Sequence, residues 1–199
     1  LGWNGKAKFY DSLRKNIALL TRNRTDYEWT DYLVVEWNIT LTGGSFDTKK
    51  SIIALGGDIT LSDNIVGTDW PLAVIALTDA ESNGWVIHID SNVTDLHASL
   101  ITDRHILSSG DRQLYIRGSI ISTNTLWDSA AEICPYYVTA PCTRAEASIY
   151  DLENMRSAFS ELSDTTWKTA LSERVRDYPN TALIIEHDAR IMSAPPPGL

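Results

Sequence analysis

Between about residues 51 and 125 the chain is a succession of short β-branched runs, each broken by Gly, Asn, Asp or Ser. They read "SIIALGGDITLSDNI", "PLAVIAL", "WVIHIDSNVTDLHASLITDRHIL" and "QLYIRGSIISTNTL". Apolar residues alternate within them: Ile53, Leu55, Ile59, Leu61; Ile87, Ile89; Leu96, Ala98, Leu100; Leu114, Ile116, Ile120. A period of two sends one set of side chains inward and the other outward. In "GGDITL" and "RGSIIS" the glycine stands where the chain must bend between strands. Short strands with near-regular bends and few hairpin dipeptides predict the rungs of a parallel β-helix. The repeat is imperfect, so a β-sandwich is the alternative.

The flanks have a different periodicity. "GKAKFYDSLRKNIALLTRNR" predicts an amphipathic helix with Phe9, Leu13, Ile17 and Leu20 on one face and Arg14, Lys15 and Arg22 toward water. A β-rich, aromatic lead-in segment follows up to residue 50 and ends at the Gly-Gly of "LTGGS". Beyond the body, residues 126–199 hold a loop rich in Pro, Tyr and Cys, and then a helix with Ile149, Leu152, Met155, Phe159 and Leu162 on one face. A shorter helix, a last strand "TALIIEHDARI" and a Pro-rich tail complete the chain. A solenoid needs its open rung edges covered, and these helices are the candidates.

Composition narrows the partners. The net charge of −9 and the lack of a basic, aromatic-interleaved run argue against nucleic acid. "PLAVIAL" is the longest apolar run, far short of the roughly 18 residues a spanning helix needs, and it suits a buried strand. A first residue of Leu leads us to expect a processed chain or a segment of something larger.

Cys134 and Cys142 lie in "CPYYVTAPC". A disulfide there closes a short loop worth about 2–3 kcal/mol, whereas two buried free thiols are the other reading. Pairing implies an oxidising compartment. Asn23, Asn38 and Asn92 each open an Asn-x-Ser/Thr triplet, an acceptor pattern for glycosylation in an extracellular protein.

Candidate chemistry concentrates in residues 85–110. His88 and His97 alternate with apolar neighbours and so face outward. Stacked on one outer face with Asp90, they suit a transition metal; otherwise they are the solvated outside of the rungs. Asp103-Arg104-His105 lies at a bend, and Asp90 with Asp103 is the conceivable carboxyl pair for glycoside hydrolysis. Glu186-His187-Asp188 ends the last strand, with Arg190 placed to form a local ion pair. The Asp-rich "SDNIVGTD" lacks the spacing of an EF-hand calcium loop. No phosphate-binding, zinc-protease or nucleophile-elbow fingerprint is present, so we expect neither an enzyme nor a cofactor.

The ordered set "VIHIDSNVTDLHASLITDRHILS", "RQLYIRGSIISTNTL", "CPYY", "YDLENMR" and "ALIIEHDARIMSAPPPGL" resembles a group of uncharacterised secreted surface proteins of candidate-phyla bacteria. Those proteins carry a C-terminal bactofilin-like module. The likeness covers about residues 50–199, with "ITDRHI" and "NTLWDSA" departing from the group's turns. It implies a right-handed parallel β-helix and a structural or adhesive role, with no catalytic residues to carry over.

The expectation is therefore an extracellular or cell-surface β-helix capped by helices, with a lead-in segment over 1–50, a body over 51–125 and a capping region over 126–199. It would serve assembly or adhesion through self-association, neighbouring domains or glycans. A carbohydrate-binding or carbohydrate-acting β-helix is the alternative.

Overall fold

The structure, a computed structural model, describes residues 3–22, 31–43, 50–66, 71–79, 86–108, 110–122, 155, 182–193 and 196. Every strand pairing in it is parallel. The strands are β1 (Tyr32–Val35), β2 (Ile39–Leu41), β3 (Ser51–Leu55), β4 (Ile59–Leu61), β5 (Leu72–Leu77) and β6 (Val86–Ile89). They continue with β7 (Asp95–Leu96), β8 (Ala98–Thr102), β9 (His105–Ser108), β10 (Leu114–Arg117), β11 (Ile120–Ile121) and β12 (Leu183–Glu186). Helix α1 (Trp3–Arg22) precedes them, and α2 (Arg190–Ser193) follows.

Sequential strands never pair with each other. Instead each pairs with a strand one turn of the chain away, giving sheet A (β1-β3-β5-β8-β11), sheet B (β2-β4-β6-β9) and sheet C (β7-β10-β12). This is a three-sided parallel β-helix, and the sandwich alternative falls away. Leu33, Ile52, Val74, Leu100 and Ile120 stand in one column of sheet A. Ile39, Ile59, Ile87 and Ile106 form the matching column of sheet B. Leu96 and Ile116 are in register in sheet C, and Ile65 bridges to Leu96 from the turn before.

The stack starts earlier and ends later than residues 51–125. Its first turn is β1 and β2, inside the lead-in segment. Its last strand, β12, returns from beyond the Cys-containing loop and pairs with β10 residue for residue from Leu114↔Leu183 to Arg117↔Glu186.

Ile87, Ile89, Leu96, Ala98 and Leu100, read as inward from their alternation, all belong to the central core, and so do Val93 and Ile106. Burying a side chain such as Ile59 or Leu61 completely stabilises by about 1.5–3 kcal/mol, against about 0–1 for an exposed ion pair. The interior columns, and not surface charge, hold the turns together.

Sheet A departs from simple alternation because it is buried on both faces. Ile52, Ala54, Val74 and Leu100 point into the solenoid. Ile53, Ala73, Ile75, Leu77 and Ile101 point the other way, against Tyr10, Leu13 and Ile17 of α1. Ile53, expected inside from its alternation with Leu55, thus faces the helix. A strand buried on both sides reads as a continuous apolar run, which is why "LAVIAL" of β5 has no polar face.

The helix fits because its pitch, about 5.4 Å, is close to the ~4.8 Å between strands. Each turn of α1 therefore meets roughly one turn of the solenoid. Tyr10 joins Leu13 and Ile17 as a buried anchor, and the side chain of Leu20 lies outside the described residues. Met155, from the segment expected to form a capping helix, is buried in the central core; the rest of that segment lies outside the described residues.

The corners are closed by side chains reaching from one turn to the next. Between sheets A and B, the Asp58 amide donates to Asn38 Oδ1 at 2.8 Å, and the Val86 amide donates to Asp58 Oδ1 at 3.0 Å. Between B and C, Asn64 Oδ1 accepts the amides of Thr94 and Asp95 at 2.8 and 3.0 Å. Between C and A, the Ser119 hydroxyl meets that of Ser99 at 3.0 Å. The glycines in "GGDITL" and "RGSIIS" stand at such corners. Gly56 has a φ of 76°, and a Cβ on Gly118 would lie 2.1 Å from the Ala98 carbonyl oxygen.

Candidate functional site

His88 and His97 belong to the same turn but to different sides of it. His88 lies in sheet B, flanked across the ladder by Thr60 and Leu107, with Nε2 3.9 Å from Asp58 Oδ2. His97 lies at the corner between sheets C and A, its amide donating to the Ile65 carbonyl at 2.6 Å. Asp90 follows β6 at the corner between B and C, with its amide on the Leu61 carbonyl. Outward parity is correct for His88, but the stacked pair does not form, because parity says nothing about which of three sides a residue occupies. Among the described residues no three His, Cys, Asp or Glu side chains gather as a metal site.

Asp103 works as a structural anchor. Its Oδ1 accepts the Thr78 amide at 3.1 Å, and its Oδ2 accepts the Thr78 hydroxyl at 2.7 Å and pairs with the Arg14 guanidinium. Arg14, expected toward water, is drawn to the sheet by this carboxylate. Asp103 follows sheet A while Asp90 follows sheet B, so the two stand at different corners instead of flanking one cleft. His105 is buried, and that burial, helped by Arg104, pushes its pKa down to about 4.

Among the described residues a polar grouping lies on the outer face of sheet C. Asp95 and Tyr115 are register partners there, and Arg117 stands beside Glu186. His97 Nε2 is 3.3 Å from Asp95 Oδ1, and the imidazole meets the Tyr115 ring edge-on at 6.2 Å between centroids. The Tyr115 hydroxyl donates to Glu186 Oε2 at 3.0 Å. Asp188, 3% exposed, takes the Arg190 Nε–H at 2.9 Å and the Arg190 backbone amide at 3.0 Å. That pairing lowers the Asp188 pKa, and burial lowers that of His97 against the opposing pull of Asp95.

The predicted Asp188–Arg190 ion pair is therefore present, and His187 is exposed beside it. Ile184 shares a face with Glu186, since the Ile116↔Ile185 register aligns Ile185 with the inward column, although Ile185 itself is 47% exposed. Asn38 is exposed and already supplies its carbonyl oxygen to a corner. Asn92 donates Nδ2 to the Ser62 carbonyl at 2.9 Å. Asn23, Cys134 and Cys142 lie outside the described residues.

Sequence reading missed Asn64, Tyr115 and Arg117. Asn64 sits in the stretch considered for calcium, and its position just before the β-branched Ile65 at a corner was the available signal. No protein-family model, curated protein or solved structure matches the chain. Among the described residues no helix is long and apolar enough to cross a membrane.

Proposed function

We propose that this chain is an extracellular structural or interaction module of a cell-surface protein, of the kind its resemblance to the bactofilin-like surface group implies. One observation carries the reading: the polar side chains at the corners are spent on tying turn to turn. Asn38, Asp58, Asn64 and Ser119 each hold a neighbouring turn, and Asp103 and Asp188 are each engaged by an arginine. Such a body is a stiff scaffold. Trp37, 65% exposed at the first corner, is a contact suited to a neighbouring copy, domain or glycan. In the same reading Cys134 pairs with Cys142, and the Asn38 triplet is open to modification.

The test is where the protein resides and whether it assembles. Protease treatment of intact source cells, followed by detection of the chain, is expected to remove it. Light scattering of the purified chain is expected to show self-association as concentration rises. Full protection inside intact cells would overturn the surface assignment, and a strict monomer would overturn the assembly role.

A further inference from the structure

We propose that the free edge of β12 takes up an extended segment of another protein as one more parallel strand of sheet C. The segment carries the pattern apolar, any residue, apolar, basic.

Among the described residues β12 has one ladder neighbour, β10. The Leu114 amide donates to the Ala182 carbonyl at 2.8 Å, and the Gly118 amide to the Glu186 carbonyl at 2.7 Å. Backbone groups alternate in direction along a strand, so Ala182, Ile184 and Glu186 turn theirs toward β10. Those of Leu183 and Ile185 point the other way, along the solenoid axis. The side chains show that this edge is uncovered. Leu96, Ile116 and Ile185 follow one another in the inward column of sheet C. The first two are 0% exposed, whereas Ile185 is 47% exposed. Ile106, on the last strand of sheet B, is fully buried. Open edges are usually guarded by lysine or proline, and Leu183–Glu186 has neither.

The register defines what fits there. β12 offers the same side-chain columns to both of its edges, and the strand on the occupied edge reads Leu114-Tyr115-Ile116-Arg117. A second partner in that register sets apolar residues over Leu183 and Ile185 and a base over Glu186. Glu186 already accepts the Tyr115 hydroxyl at 3.0 Å, and a carboxylate has lone pairs for a further donor. A second copy laying its own β12 there in parallel sets Glu186 against Glu186, which is unfavourable. The chain's charge of −9 likewise favours a basic partner. Main-chain pairing supplies affinity in such a complex, and the alternate side chains supply selectivity. This goes beyond the surface-module reading, because the edge lies at the opposite end of the stack from Trp37.

The experiment is a titration of the isotope-labelled full chain with the end-blocked octapeptide RQLYIRGS, the sequence of residues 112–119. Saturable amide shifts centred on Leu183–Glu186 are expected, with exchange at Leu183 and Ile185 slowed at least about tenfold. Methylating the peptide's tyrosine nitrogen, which faces β12 in this register, is expected to abolish binding. Methylating its isoleucine nitrogen, which faces away, is expected to preserve it. Replacing its second arginine by glutamate is expected to weaken binding about fivefold. No saturable shifts, shifts centred elsewhere, or equal binding of the two methylated peptides would overturn the proposal. So would protection of Leu183 and Ile185 that rises with chain concentration alone, which marks a second copy as the occupant. Each of these outcomes leaves the surface-module reading standing, since that reading rests on other residues.

Discussion

The Tyr10 hydroxyl donates to the Thr102 carbonyl oxygen at 2.6 Å, joining the N-terminal helix to the fourth strand of sheet A. Both residues are buried. Tyr10→Phe keeps the ring but leaves that carbonyl without its donor, at a cost of about 1–2 kcal/mol. A lowered urea midpoint with an unchanged slope is the expected result. Burial, reinforced by Asp103, also raises the Tyr10 pKa. The unfolded tyrosine ionises near pH 10, so this contribution is intact below that pH and is lost as pH rises further. Alkaline titration of native and Tyr10→Phe chains should separate above about pH 10.

His105 gives the opposite pH dependence. Its pKa falls from 6.5 to about 4, with burial the main cause and Arg104 the lesser. On acidification the unfolded chain takes up the proton first. The stabilising effect of neutral His105 is therefore complete above about pH 6.5 and lost as pH falls toward 4. The loss is on the order of 3 kcal/mol. Urea unfolding between about pH 7 and pH 4 should show this slope in the native chain and a shallower one in His105→Phe.

Gly118 meets the backbone of the turn below. The nearest obstacle to a Cβ is the Ala98 carbonyl oxygen, which cannot swing aside as a side chain can. Gly118→Ala should destabilise by about 2 kcal/mol or more, read as a drop in melting temperature of several degrees.

Asn64 holds two amides with one oxygen. Asn64→Ala leaves the Thr94 and Asp95 amides without that acceptor, costing about 2–3 kcal/mol. Hydrogen exchange at those two amides should accelerate at least tenfold while the central amides of β5 stay protected.

Met155 reports on the cap. It is 3% exposed and packs in the central core, so Met155→Ala should cost about 2–4 kcal/mol. Exchange protection over residues 144–175 beyond that of a free peptide is expected in the native chain. If the substitution were neutral, Met155 would not be part of the cap.

The residues that were legible in the sequence are those whose behaviour is local. Ile87, Ile89, Leu96 and Leu100 alternate within their own strands, and that alternation is enough to turn them inward. Gly56 and Gly118 announce their bends because few other residues fit there. Ile53 was misread because both faces of its strand are apolar, and alternation has no contrast to work with. Whether His88 and His97 meet is not encoded in their alternation, since the length of each turn determines which side a residue occupies.

The sequence by itself determined the parallel stack and most of its interior, because period-two burial and glycine-marked corners act over a few residues. The tertiary structure alone decided which polar groups meet. Asn64 reaches Thr94 across 30 residues and Arg14 reaches Asp103 across 89. Those partners follow from how unequal turns come into register and from which face the helix covers. Both are settled by packing the whole interior at once, which no local pattern encodes.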